Sequence, residues 1–197
     1  ARCIASPWNE TNSGKAILAK DPNNTGSLGM AISEAVEMPA TNPDTKYALG
    51  SVLNHLLMHQ TIVGNEALWQ MEMADDYTDI LVGCTGGGSN FSGLVNPFLG
   101  KNFREGKKTR VIACCPKSCP TLTEGKYVYD FGDTGKLTPL VKMHTLGSQF
   151  IPPATHSGGL RYHGMAPLVS HLKEINAIEA KAYGQKECFE AGVKFAN

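Results

Sequence analysis

Three consecutive glycines between a short apolar run and a helical stretch constrain this chain more than any other feature. Asp79-Ile80-Leu81-Val82-Gly83 reads as a buried strand, Gly86-Gly87-Gly88-Ser89-Asn90 follows, and the residues from about Phe91 to Leu99 read as a helix. Glycine lets backbone approach a ligand closely and adopt positive φ. The helix behind the loop adds its unpaired N-terminal N–H groups and the positive end of its dipole. The hydroxyl of Ser89 and the amide of Asn90 can donate to the same anion. Two familiar loops are excluded. No Gly-Lys-Ser/Thr follows, and Phe91 stands where a third glycine would complete a dinucleotide fingerprint from Gly86. The loop alone leaves two readings open, a site for a compact phosphate ester or a glycine-rich turn with no ligand.

A second apolar run, Arg110 to Cys115, makes the region a strand–helix–strand unit, which implies a parallel sheet and an α/β class. Upstream, Ser51 to Met73 reads as a long helix. Val52, Leu53, Leu56, Leu57, Val63 and Leu68 form its apolar face, expected to be core. Downstream, Cys119 to Gly135 reads as loop and Pro139 to Leu146 as helix. Ile151 to Met165 reads as loop, Ala166 to Ile175 as helix, Ala177 to Tyr183 as strand and Lys186 to Phe195 as helix. The first fifty residues are polar and broken by Pro7, Pro22, Pro39 and Pro43, with a short helix from Leu28 to Val36 and a strand near Arg2 to Ala5. We therefore expect an irregular lead-in over residues 1–50, packed on an α/β domain over 51–197. An alternating fold would add another strand after the last helix.

Eighteen basic and eighteen acidic residues give zero net charge, which argues against nucleic acid or an anionic membrane as the main partner. No apolar run reaches membrane-spanning length and no signal-peptide pattern opens the chain, although the first residue is alanine. Six cysteines in 197 residues are read as reduced thiols, so a cytoplasmic location is expected and the Asn-x-Ser/Thr triplets at Asn9, Asn23 and Asn90 are read as chance.

Other residues carry weaker signals. His55 and His59, one turn apart, could share a metal, yet no adjoining glutamate or third ligand accompanies them. Cys114, Cys115 and Cys119 could form a thiolate site, but adjacent strand residues point to opposite faces, favouring buried thiols. His156 and His163 flank a glycine-rich turn and are read equally as substrate-facing or as surface loop. Asp130 and Asp133 are read as a solvated turn about Gly132 rather than paired acids.

The Gly-Gly-Gly-Ser-Asn loop resembles the pyridoxal-phosphate cradle of the tryptophan synthase beta chain. Leu49-Gly50-Ser51-Val52-Leu53-Asn54-His55, His59-Gln60-Thr61, Cys119-Pro120-Thr121-Leu122-Thr123, Tyr129-Asp130-Phe131-Gly132-Asp133-Thr134 and the run from Gly158 to Ser170 resemble its second, longer type. So do Asp21-Pro22-Asn23 and Ala31 to Ala35. The similarity spans essentially the whole chain, and motif order aligns it with that family's C-terminal half.

The resemblance implies part of the larger C-terminal domain of a fold-type II pyridoxal-phosphate enzyme, a lyase. Such an enzyme replaces the β-substituent of a serine-type substrate with indole to give L-tryptophan. It implies that Gly86, Gly87, Gly88, Ser89 and Asn90 bind the cofactor phosphate. Arg161 and His163 become substrate-loop candidates, and a monovalent cation is implied at the backbone of Gly86, Tyr162 and Gly164. The family's Schiff-base lysine and catalytic glutamate lie upstream of the matching region, and the groups that hold the pyridine nitrogen lie downstream. None of Lys15, Lys20, Lys46, Lys101, Lys107 or Lys108 stands in a Schiff-base context. No catalytic residue is therefore expected here, and the chain alone is expected to be inactive. A homodimer and an alpha subunit are implied as partners of the full-length enzyme. Arg161 stands where the shorter type carries an aspartate, and Cys115 where the family has a glutamate. Two alternatives stay open, another pyridoxal-phosphate β-eliminating enzyme or a non-catalytic phosphate-binding or complementation module.

Overall fold

The computed structural model describes residues 2–50 and 52–197. Its elements run α1 (Asn12–Lys20), α2 (Leu28–Thr41), α3 (Asn54–Met73), β1 (Ile80–Cys84), α4 (Ser89–Glu105) and β2 (Arg110–Pro116). They continue with α5 (Thr121–Glu124), β3 (Lys126–Phe131), β4 (Leu140–Thr145), α6 (Pro167–Glu174), β5 (Glu179–Tyr183) and α7 (Gln185–Ala196). β1, β2 and β5 form a parallel sheet in that order, with Ile80 beside Arg110 and Ile112 beside Glu179. The class is α/β, a parallel sheet flanked by helices. β3 and β4 form a separate antiparallel ladder from Lys126↔Thr145 to Phe131↔Leu140.

One face of the parallel sheet carries the core. Phe91, Val95 and Leu99 of α4 and Val169 and Leu172 of α6 pack on Val111, Ala113 and Cys115 of β2. Burying such side chains contributes roughly 1.5–3 kcal/mol each. α3 lies against α4 at backbone distance, since a Cβ on Gly64 would collide with the carbonyl of Leu94 and one on Gly93 with that of Gln60.

Five sequence expectations are corrected. The stretch 139–146 is a strand, because Leu140 to Thr145 finds the alternating Lys126 to Phe131 as a partner, and pairing overrides the helix-like proline start. That same ladder, with α5, fills the stretch read as loop from Cys119 to Gly135. The lead-in is not irregular. Thr11 caps α1 by accepting from the Gly14 N–H, and Ser27 caps α2 by accepting from the Met30 N–H. Arg2 to Ala5 pairs with no sheet. Finally, the apolar face of α3 is not simply core. Leu57 is buried, but Val63 is 49% exposed, and Met58, Ile62, Trp69 and Met73 also stand open. Ser51, the expected start of that helix, lies outside the described residues.

Candidate functional site

β1 ends at Cys84, and the chain turns through Thr85 to Gly88 into α4. Gly88 is the N-cap with φ +104°, and the first helical hydrogen bond runs from the Ser92 N–H to its carbonyl at 2.9 Å. Among the described residues, the N–H groups of Gly86 to Phe91 have no acceptor, and no side chain caps the helix. Buried or half-buried donors without partners are rare unless a ligand or water meets them. Six donors without an acceptor at the positive end of a 17-residue helix fit an anion.

The loop is held from behind. The Gly87 carbonyl accepts from the Ala166 N–H at 2.9 Å, and a Cβ on Gly88 would lie 3.0 Å from the sulfur of Met165 and 3.1 Å from Val169. Gly86 faces Gly159 and Leu160. The fold thus brings the glycine loop and the glycine-rich turn at 158–164 together from distant parts of the sequence.

His163 and Arg161 do other work in this arrangement than facing an open site. His163 is buried, its Nε2 is 2.9 Å from the Phe131 carbonyl, and burial pushes its pKa down. Arg161 donates to the carbonyls of Pro152, Pro153 and Thr155, tying the preceding loop to the turn. The Tyr162 carbonyl accepts from the thiol of Cys119 at 3.1 Å, while the single hydroxyl proton of Thr121 is shared between the Cys119 carbonyl at 3.3 Å and the Tyr162 carbonyl at 3.4 Å. Burial pushes the Cys119 thiol up to about 11. Cys115 is buried against Thr85, and Cys114 points from the opposite face of the strand. His55, His59 and His156 are exposed, and among the described residues no cluster of three or more His, Cys, Asp or Glu side chains suits a metal.

Asp133 corrects the reading of a solvated turn. Its side chain is fully buried and accepts from the hydroxyls of Ser33 (2.6 Å) and Thr138 (2.7 Å) and from the N–H groups of Leu137 and Thr138. Burial alone would raise its pKa, but these hydrogen bonds outweigh it and hold the carboxyl below its ordinary value. A depressed folded pKa means that the stabilisation is present above the ordinary carboxylate range and is lost as pH falls below about 4. Asp133→Asn is expected to cost about 2–3 kcal/mol at pH 7. Urea titrations should show the native chain weakening as pH falls below about 4 while the variant changes less. Equal pH dependence would remove Asp133 from the account.

An apolar cavity of about 510 Å³ was not foreseen. Ile32 and Val36 of α2, Leu49, Leu137, Val141 and Tyr162 line it, and the Tyr162 hydroxyl donates to the Gly132 carbonyl at 2.6 Å. The signal was present in the spacing of Ala31, Ile32, Ala35 and Val36 along one helical face.

No family model matches this chain. Curated relatives do. The chain is 55% identical over 191 residues to tryptophan synthase beta chain 2 of Thermotoga maritima, covering 97% of this chain and 45% of that one. The same-named protein of Aquifex aeolicus is 55% identical over 196 residues, covering 98% and 45%. That of Methanosarcina mazei is 52% identical over 194 residues, covering 98% and 44%. Among solved structures, a threonine deaminase superposes with a TM-score of 0.49 at 16% identity, covering 68% of this chain and 41% of that one. This chain therefore spans a little under half the length of the relatives it matches, and over nearly its whole length it is similar to proteins named tryptophan synthase beta chain 2.

Proposed function

We propose that this chain supplies the phosphate-binding half of a pyridoxal-phosphate-dependent lyase of the tryptophan synthase beta type, which joins indole to a serine-type substrate to give L-tryptophan. The carrying observation is the glycine loop, whose N–H groups from Gly86 to Phe91, among the described residues, lie unpaired at the start of α4. Gly86, Gly87 and Gly88 give the close approach, and Ser89 and Asn90 add side-chain donors. When bound there, pyridoxal phosphate supplies an electron sink for chemistry at the substrate's α and β carbons. The residues of this chain anchor its phosphate and fix its orientation. The domain division at residue 50 belongs to the same reading, since α2 of the lead-in helps to wall the apolar cavity. That cavity meets the glycine-rich turn at Tyr162 and suits a flat apolar acceptor such as indole.

Arg161 and His163 act in this scheme by holding the 152–164 loop and turn in shape. A monovalent cation at the carbonyls of Gly86, Tyr162 and Gly164 also belongs to it. A fold-type II architecture, homodimerisation, association with an alpha subunit and a cytoplasmic location complete the proposal. Among the described residues no helix is long and apolar enough to cross a membrane.

Equilibrium binding of pyridoxal phosphate and of phosphate-free pyridoxal to the chain separates a phosphate site from a glycine turn. The ester is expected to bind about a hundredfold more tightly, with inorganic phosphate competing. Equal affinity for the two would sink the cradle.

A further inference from the structure

β1 and β2 run parallel in register from Ile80 beside Arg110 to Cys84 beside Cys114. Burial alternates along both strands. Val111, Ala113 and Cys115 point into the core, so Cys114 points to the opposite face of the sheet, and Cys84 stands on that face next to it. The Thr85 N–H donates to the Cys114 carbonyl at 2.9 Å, which fixes the register at this end of the strands. Neighbouring strands lie about 4.8 Å apart, inside the roughly 4.4–6.8 Å between Cα atoms that a disulfide spans. Cβ atoms of directly opposed residues are about 4.5–5.5 Å apart, at or just beyond the far limit of a relaxed bridge. A bond here forms with some strain, and strained or exposed disulfides are the easily reduced ones. Both thiols are free, Cys84 exposed and Cys114 half-buried.

We propose that Cys84 and Cys114 are a reversible disulfide site for small-molecule disulfides of the glutathione class. The exposed Cys84 reacts first. Its thiolate attacks one sulfur of glutathione disulfide, the S–S bond breaks, and one glutathione leaves as a thiolate that takes up the proton Cys84 lost. The Cys114 sulfur, losing its own proton, then attacks the Cys84 sulfur and expels the second glutathione, which takes up that proton. The cysteine pair loses two electrons, and one glutathione disulfide is reduced to two thiols. Burial pushes the Cys114 thiol up, as do the thiols of Cys84, Cys115 and Cys188, while Lys181, its register partner on β5, opposes them. Cys114 is therefore suited to the second step, where its target is held beside it, rather than to attack on a free oxidant. Cys188 of α7 is the rival partner. That helix buries none of its residues, whereas Cys84 is placed by a continuous ladder. The inference rests on the strand register and needs no bound phosphate.

The reduced chain is to be treated with glutathione disulfide, quenched with acid, alkylated with iodoacetamide and mapped by tandem mass spectrometry. Cys84 and Cys114 are expected to lose alkylation together and to appear as one cross-linked species lighter by two hydrogens, while Cys3 either stays alkylatable or keeps a glutathione. Dithiothreitol is expected to restore both thiols. Cys114→Ser is expected to trap glutathione on Cys84 at least about tenfold longer than in the native chain, because the neighbour that expels it is gone. Cys188→Ser is expected to leave the bridge intact, and this exposed substitution carries the test should Cys114→Ser fail to fold. A stable glutathione adduct on Cys84 with Cys114 present overturns the proposal. So do unreacted Cys84 and Cys114 once Cys3 has reacted, a Cys114–Cys188 bridge, a cross-link between two copies of the chain, or a bridge lost in Cys188→Ser.

Discussion

Incubated with serine, indole and pyridoxal phosphate, the 197-residue chain alone is expected to form no tryptophan above the enzyme-free background. β-Replacement through this cofactor needs an amine that holds the cofactor carbonyl and then shuttles a proton. Many lysines of this chain are engaged elsewhere. Lys101 pairs with Glu105 on α4, Lys117 with Glu187 and Lys186 with Glu190. Lys107, Lys136 and Lys142 lie over the rings of Tyr77, Phe131 and Tyr127. The atoms that a Cβ on Gly86 or Gly88 would meet belong to Gly159, Leu160, Met165, Ala166 and Val169, none of which can play that part. Losing both a covalent anchor and its base removes many powers of ten from the rate, so the effect is all or nothing in an ordinary assay. Borohydride reduction and intact mass give an independent readout, with no stoichiometric single-site adduct expected. One cofactor-sized increment on one lysine, or turnover above background, would make this chain a compact enzyme in its own right.

How much of this was legible in the sequence follows from the range of the interactions. The strand–glycine–helix unit is local. Residues 79–106 carry their own punctuation in Gly86 to Gly88 and Gly106, and the structure extends the helix at both ends, back to Ser89 and on to Glu105. β3 and β4 could not be read the same way. Lys126 to Phe131 alternates well enough for a strand, but Leu140 to Thr145 becomes one only because that partner exists, and Pro139 mimics a helix start. α1 was missed for a related reason. Thr11 is a local cap signal, but the N–H groups of Asn12 and Ser13 are satisfied by Glu37 of α2, which no local pattern displays. Asp133 shows the limit most clearly. An aspartate beside glycines reads as a solvent turn, and only the arrival of Ser33, one hundred residues upstream in sequence, converts it into a buried anchor. The cavity depends on that same anchor, because it holds α2 against the segment from Gly132 to Pro139 that lines the opposite wall.

The second large effect is expected at Gly88. Its φ of +104° lies where an L side chain is strained, and the space a Cβ would need is already bounded by Met165, Val169 and Ala166. Met165, Ala166 and Val169 are fully buried members of the core cluster and cannot yield cheaply. Gly88→Ala should therefore cost about 2–4 kcal/mol from strain and overpacking combined. Gly88→Asp adds a carboxylate at the helix N-terminus. There the helix dipole favours it, so part of the folding loss is offset, while a phosphate arriving at the same donors meets a like charge. The two substitutions are thus expected to separate by readout. In denaturant unfolding the aspartate variant should be no worse than about 1 kcal/mol beyond the alanine variant. In pyridoxal-phosphate binding it should lose a further tenfold or more relative to alanine, because the carboxylate occupies the acceptor position that the phosphate needs. If both variants unfold alike and also bind the ester alike, the loop is a structural turn against α6 and the phosphate is held elsewhere. If the aspartate variant alone loses affinity, the unpaired donors from Gly86 to Phe91 are the phosphate's partners, and the strained glycine is explained by close approach rather than by the turn itself.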